Sequence, residues 1–556
     1  MNAHRSPSFL ARGLGRVAAL LSTLVLATPA MAQADDDKTL RVFIFAGQSN
    51  MEGADSNPKH IQRFPPFEGL DQEQKDVMFS YCLGRENKVK SGGWETLRPV
   101  RNMVGPELSF AREIKRHTKA PIAIIKVAAG GTHLAGDWNP DEPRGFELYP
   151  LALNWVREAL AELDRKKVQY RIEGFIWHQG ENDMFEEGAM PAYGANLKNF
   201  LARWRADLDQ PELRFYIGEL CTKTIWGMDL RPRMYQISLG QREVTDADPL
   251  ADYVRTSHNG VEIGNPVGLH YHYGTLGQLQ HGVNHAHAYL RNIGKLPEVK
   301  RPLKKWPYAE GSKVQLFVLA GHRNMEGERA FVQEAKPKSL VKNQPKIAFR
   351  YDLGGGYHVS KGWEPLGPTS YSDTFGPELS FGARLGKKIK NGVAIAKFTH
   401  SGSQMIDWTP AGSEAKSRNL YPAFIDFVQA SIAELEAKGH QVELAGIFYH
   451  VGENDMSMHG YRKEAANRIA SFVQQSRVDL ELPELHWFVS QQPPTDHERV
   501  NSVDVVTMIE EMAEADPHMT LIQAFDLPGR EQRLVITTEG IIELGELLAD
   551  AYLKSL

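Results

Sequence analysis

Ser49, Gln179 and His272 are the side chains of this 556-residue chain whose types and settings could together carry out acyl transfer. A serine hydroxyl is a weak nucleophile until a neighbouring base takes its proton, and the oxyanion that then forms needs fixed N–H donors around it. Ser49 lies in GQSNMEG (47–53), directly after the apolar run Leu40 to Phe45. Gln179 lies in WHQGEND (177–183), directly after Ile172 to Trp177, and His272 opens HYGTLGQLQHG (272–282). The assignment that follows is Ser49 as nucleophile and His272 as general base and then acid. The oxyanion partners are the backbone N–H groups of Ser49 and Gly131 with the Gln179 side chain. His270 is the alternative base.

These groups can meet only if strands bring them to one sheet edge. Leu40 to Phe45 is rich in β-branched and aromatic residues, as suits a strand buried on both faces of a parallel sheet. A second such strand begins near Ile122 and runs into AAGGT (128–132), and Ile172 to Trp177 makes a third. Helical spacing is clear from Pro150 to Arg165, where Leu151, Leu153, Val156, Leu160 and Leu163 share one broad face. Further helices are expected from Tyr193 to Leu208 and after Thr275, with strands at Leu213 to Ile217 and Asp252 to Thr256. Strands alternating with helices predict a doubly wound parallel sheet, which holds ligands at the carboxyl ends of its strands.

The pattern then starts again. GHRNMEG (321–327) repeats GQSNMEG, GPELSF recurs at 105 and 376, KFTHSGSQMIDW (397–408) answers KVAAGGTHLAGDW (126–138), and HVGENDM (450–456) answers HQGENDM (178–184). Four blocks in the same order at nearly constant spacing make the chain a tandem of two α/β domains. The copies differ where acyl transfer would need its groups: Ser49 faces Arg323, Gln179 faces Val451, and His272 faces Val535. Glu181 and Asp183 keep counterparts in Glu453 and Asp455, so these carboxylates have a structural share.

Bulk properties narrow the field. With 64 basic and 69 acidic residues the formal charge is −5, which gives no field to recruit nucleic acid or an anionic membrane. Residues 1–32 carry Arg5, Arg12 and Arg16 ahead of the apolar run Val17 to Leu26, then Ala30-Met31-Ala32, and read as a secretory signal peptide. The expected mature protein is exported, periplasmic or secreted, and off the membrane. The two cysteines, Cys82 and Cys221, form no disulfide framework and lack metal-site spacing. The expected layout is a first domain over 39–300, a polar linker over 301–313 and a second domain over 314–556, with contact between the two domains.

GQSNM, the AGGT turn, WHQGE and the HYGTLGQ segment resemble the sialate O-acetylesterase-like carbohydrate esterases of the SGNH hydrolase superfamily, the group that includes carbohydrate esterase family 6. The likeness is strong over roughly residues 40–297 and weak over the second copy. It implies two tandem three-layer α/β/α, flavodoxin-like domains with parallel sheets, the second degenerate. It also implies a serine esterase that removes O-acetyl groups from an acetylated carbohydrate, with no metal or organic cofactor. By position it gives Ser49 the nucleophile's place, Gly131 and Gln179 the oxyanion places, and His272 the catalytic histidine's.

One position departs from that pattern. Three residues before the histidine, where an aspartate is usual, stands Leu269, and for His270 the equivalent place holds Val267. Glu181 is the candidate replacement, completing a Ser-His-Glu set. The rival expectation is a non-catalytic glycan-binding or scaffold protein built from two pseudo-esterase domains. His178, kept as His450, reads as a hydrogen-bonded structural histidine, and His133 as a possible substrate contact. Trp138, Trp177 and Trp408 read as core or cleft-wall residues, and His281, His285 and His287 as surface or helix-end groups without zinc-site spacing.

Overall fold

The computed structural model describes residues 38–556, apart from 87, 221–223, 226–227, 261–271, 297–302, 371, 453–454, 456–461, 493–502 and 531–534. The expected signal peptide, His270, Leu269, Val267, Cys221 and Glu453 lie outside the described residues.

In the first lobe the main strands are β1 (Leu40–Gly47), β2 (Gln74–Leu83), β3 (Ile122–Ala128), β4 (Tyr170–His178), β5 (Phe215–Gly218) and β6 (Ala251–Val254). Between and after them lie α1 (Ser49–Glu52), α2 (Glu107–His117), α3 (Leu148–Arg165), α4 (Ala189–Asp207), α5 (Arg231–Ala247) and α6 (Gly274–Asn292). The six strands pair in parallel in the order β6-β5-β4-β1-β3-β2, so the strand carrying the GQSNMEG turn lies inside the sheet. Every residue of β1 is buried, as its unbroken apolar run requires. Two short antiparallel strands, Val89–Lys90 and Glu95–Leu97, pair with β2, so the sheet is not parallel throughout.

The second lobe repeats this plan. Its main strands are β7 (Lys313–Gly321), β8 (Gln344–Leu353), β9 (Gly392–Thr399), β10 (Gln441–His450), β11 (Trp487–Gln491) and β12 (Met519–Gln523), in the order β8-β9-β7-β10-β11-β12. Each sheet has an apolar cluster on either face, which makes each lobe three layers deep. Trp138, Trp177 and Trp408 are fully buried in these clusters and are core residues.

Helix α6 corrects one expectation: its residues from Gly274 to Leu290 are all buried, His281, His285 and His287 among them. It is covered along its length, with α2 on one side through Ser109 Oγ, which donates to Leu279 O at 2.7 Å. The His281 ring stands edge-on to both His178 and His285, and burial holds the His281 and His285 imidazoles well below their usual range, hence neutral. His287 pairs with Glu113 at 3.0 Å. No helix among the described residues is long and apolar enough to cross a membrane.

The lobes meet through polar contacts as well. Arg231 Nη1 lies 3.0 Å from Asp407 Oδ1, both side chains buried. The segment after β6 reaches into the second lobe: Ser401 Oγ donates to His258 O at 2.5 Å, and the His258 ring stacks on Tyr357 with centroids 3.6 Å apart.

Candidate active site

The carboxyl ends of β1, β3 and β4 are laced together by backbone. Gln48 N donates to His178 O at 3.1 Å and Ala129 N to Gly47 O at 3.1 Å. A Cβ on Gly47 would stand 2.1 Å from His178 O, and its φ of 152° is one that side chains rarely adopt. Glycine is therefore required for the two chains to pass so closely. Past this close approach the chain turns into α1, and Ser49 is its first residue, 7% exposed. Gly130 faces it so closely that a Cβ there would lie 3.2 Å from Ser49 Cβ. Gly131, with φ 70°, continues the turn. The serine and the glycine turn expected to donate to the oxyanion are thus adjacent in space.

Three residues hold this turn. Glu52 Oε2 accepts from Gly130 N at 2.8 Å, and Arg101 pairs with the other Glu52 oxygen. Gln179 Nε2 donates to Thr132 O at 2.8 Å and to Asp183 Oδ2 at 2.6 Å, with Gln48 Oε1 at 3.1 Å. An amide nitrogen has two hydrogens, so that of Gln179 is committed to the scaffold that follows Gly131. Asp183 in turn accepts from Leu134 N at 2.9 Å and Ala135 N at 3.1 Å.

His272 is brought to the serine's neighbourhood by the next residue of each chain segment: Tyr273 N donates to Asn50 Oδ1 at 3.2 Å. Asn50 Nδ2 donates to Glu181 Oε1 at 2.6 Å, and His178 Nε2 lies 3.3 Å from that same oxygen. Burial pushes the Glu181 carboxyl upward, yet the His178 and Asn50 contacts outweigh it and hold the group below its usual range. Glu181 therefore meets Asn50 and His178, and the carboxylate on the His272 ring is a different one: Asp55 Oδ2 lies 2.6 Å from His272 Nδ1. His178 is fully buried.

Three polar side chains around the site were not expected. Asn182 Oδ1 accepts from Gln48 Nε2 at 3.3 Å, and the guanidinium of Arg85 stands so near Gly131 that a Cβ there would lie 3.0 Å from it. Asp55 is the third. Asn182 sits inside the WHQGEND block and could have been found there, whereas Arg85 follows an edge-side strand with nothing in its neighbours to mark it. His133 is half-buried between Asp137 and Glu186, and its pairing with Asp137 raises its pKa despite burial. Among the described residues no group of histidines, cysteines and carboxylates could hold a metal ion.

The second lobe keeps the frame of the turn but has other side chains at the positions of Ser49, Gln179 and His272. Ser401 N donates to Glu326 Oε2 at 2.9 Å, as Gly130 N does to Glu52. Met405 N donates to Asp455 at 2.9 Å, as Leu134 N does to Asp183. Arg323, in the serine's place, is buried and lies 3.5 Å from Glu328. The first lobe's segment at 257–258 covers this turn, since a Cβ on Gly402 would stand 2.1 Å from Ser257 O. The space left beside it, lined in part by His258, Glu326 and Glu328, is about 30 Å³, room for a single water.

A family model described as carbohydrate esterase, sialic acid-specific acetylesterase matches residues 39–291 and again 313–554. The chain belongs to this family. Its class is therefore that of the carbohydrate acetylesterases, and the two matches coincide with the two lobes. A probable carbohydrate esterase of Arabidopsis thaliana is 26% identical over 270 residues, covering 46% of this chain and 91% of that protein. Among solved structures, a protein from Arabidopsis thaliana is 20% identical, covers 46% of this chain and 98% of its own, and gives a TM-score of 0.35. A carbohydrate acetylesterase from Xanthomonas citri is 16% identical, covers 49% of this chain and 58% of its own, and gives a TM-score of 0.32. Membership of the acetylesterase family agrees with a site built at strand ends around a serine turn.

Proposed function

We propose that the first lobe is a serine esterase that removes O-acetyl groups from a carbohydrate and that the second lobe performs no chemistry. The observation that carries this reading is the hydrogen bond from Tyr273 N to Asn50 Oδ1, which joins the residue after the serine to the residue after the histidine. Ser49 Oγ attacks the acetyl carbonyl carbon as the His272 imidazole takes its proton. The backbone N–H groups of Ser49 and Gly131 receive the oxyanion. The imidazolium then protonates the departing sugar oxygen, and water repeats the sequence on the acetyl-enzyme. Gln179 supports the oxyanion at one remove by fixing the turns that carry Ser49 and Gly131. Glu181 likewise positions His272 through Asn50 rather than by touching the ring.

Purified protein should release acetate from acetylated xylan, O-acetyl sialic acid or an aryl acetate, and Ser49→Ala should abolish the release with the thermal midpoint unchanged. Equal turnover in that variant would sink the assignment. Glycan binding without any acetate release would select the rival, a non-catalytic glycan-binding scaffold. We also infer that residues 1–32 direct export, to the periplasm or beyond it. A mature N-terminus at Gln33 would support that inference, and an intact Met1 in exported protein would refute it.

A further inference from the structure

We propose that Asp55 is the carboxylate that holds the His272 imidazole for proton transfer, taking over from the aspartate whose usual place is occupied by Leu269. The proposal rests on reading Ser49 and His272 as the acyl-transfer pair.

Asp55 Oδ2 lies 2.6 Å from His272 Nδ1, a short contact of the kind that ionised partners make. The carboxylate comes from the same turn as the nucleophile. Helix α1 ends at Glu52, the chain turns back at the left-handed Gly53, and Asp55 takes a left-handed conformation with φ 57°, which aspartate tolerates better than most residues. One loop thus presents the serine at its start and the acid at its end, and the imidazole reaches it from the segment leading into α6.

The second lobe supplies an internal comparison. There Ser49 is replaced by Arg323, His272 by Val535 and Asp55 by Arg329, so nucleophile, imidazole and acid have gone together. Asn50 and Glu181 persist as Asn324 and Glu453. A carboxylate needed only by the scaffold would have stayed with the scaffold. Asp55 departed with the chemistry.

The role is one of tautomer and orientation. A carboxylate on Nδ1 requires the proton to reside there, which leaves the Nε2 lone pair to accept the Ser49 proton while the Oγ–carbonyl bond forms. The resulting imidazolium, stabilised by the Asp55 charge, gives the Nε2 proton to the sugar oxygen as its bond to the acetyl carbon breaks. No proton passes to Asp55.

The test compares the full-length protein with Asp55→Ala, Asp55→Glu and Ser49→Ala. In Asp55→Ala the turnover number should fall by about 10²- to 10⁴-fold, as loss of the acid does in a serine triad, with KM changed by less than about threefold. Asp55→Glu should recover part of the loss. Independently of any substrate, ¹⁵N shifts of the His272 ring, assigned by their disappearance in His272→Gln, should report the Nδ1–H tautomer in the unmodified protein. In Asp55→Ala they should report the Nε2–H form. Retention of the Nδ1–H tautomer in Asp55→Ala overturns the proposal, and so does a turnover number within about twofold of the parent where the parent is active. Should the parent release no more acetate than Ser49→Ala, the esterase reading fails, and the tautomer alone still decides whether Asp55 orients the ring.

Discussion

Arg231 of the first lobe and Asp407 of the second form an ion pair at 3.0 Å with both side chains almost wholly buried. Asp407 also accepts from Gln404 N at 2.9 Å, so the pair ties the first lobe to the turn that follows β9. Removing one partner strands the other charge in the interior. Asp407→Ala should therefore cost about 3–5 kcal/mol, read as a lowered midpoint in thermal or denaturant unfolding. The double replacement Arg231→Met with Asp407→Leu should cost clearly less. Equal losses in both variants would show that the charges are not coupled.

Gly47→Ala should disturb the site without touching a reacting atom. The added methyl would meet His178 O at 2.1 Å at a φ of 152°, so the close approach of β1 to β4 at their carboxyl ends must open. A destabilisation of more than about 1 kcal/mol is expected, with a loss of turnover larger than that stability change explains. Circular dichroism melts beside acetate release would separate the two effects.

Glu181→Gln should weaken the fold as well as the activity. The carboxylate accepts from Asn50 and sits 3.3 Å from His178, and replacing it leaves buried polar groups poorly matched, at a cost of about 1–3 kcal/mol. Because the folded-state pKa of Glu181 lies below its usual value, its contribution is present above that value and fades as pH falls. The variant should therefore lose stability relative to the parent at neutral pH and converge with it in acid, as paired melts across pH would show.

Glu113 offers a second pH test away from the site. Burial alone would raise its pKa, but the hydrogen bond and charge of His287, with Arg116, bring it down from 4.5 to about 2. The stabilisation is complete above about 4.5 and is lost as pH falls toward 2. The shift corresponds to at most about 3 kcal/mol at neutral pH, less what solvent screening removes. Glu113→Gln should flatten the stability profile over that acid window, and an unchanged profile would show that the pair contributes nothing.

Much of this was legible in the residues. The strands at Leu40 and Ile172 announce themselves because both faces are buried and the apolar runs are unbroken, and the repeat revealed the two lobes. Strand β2 was missed because it opens with the polar Gln74-Lys75-Asp76 before its buried half, so neither an apolar run nor an alternation stands out. Helix α5 was missed for a related reason: Arg231, Ser238 and Gln241 are polar yet buried, which blurs the apolar stripe. Within the site, motif spacing pointed to Ser49, Gly131, Gln179 and His272, but not to what each side chain bonds. Asp55 could not be read as a partner of His272, since the contact joins positions 217 residues apart. The burial of α6 was equally hidden, because histidine and glutamine in a helix look like solvent-facing residues until the neighbouring helix is known.

The way the first lobe's 257–258 segment lies over Gly402 has a consequence for the history of the second copy. On the proposed reading, in which the second copy performs no chemistry, a lobe covered at this turn by its neighbour would not admit a sugar, and selection would stop guarding its serine, acid and imidazole while still guarding the frame beneath. Reinstating those groups by Arg323→Ser, Arg329→Asp and Val535→His should yield no second set of turnovers. Decay behind such a seal runs one way, and point changes alone should not reverse it.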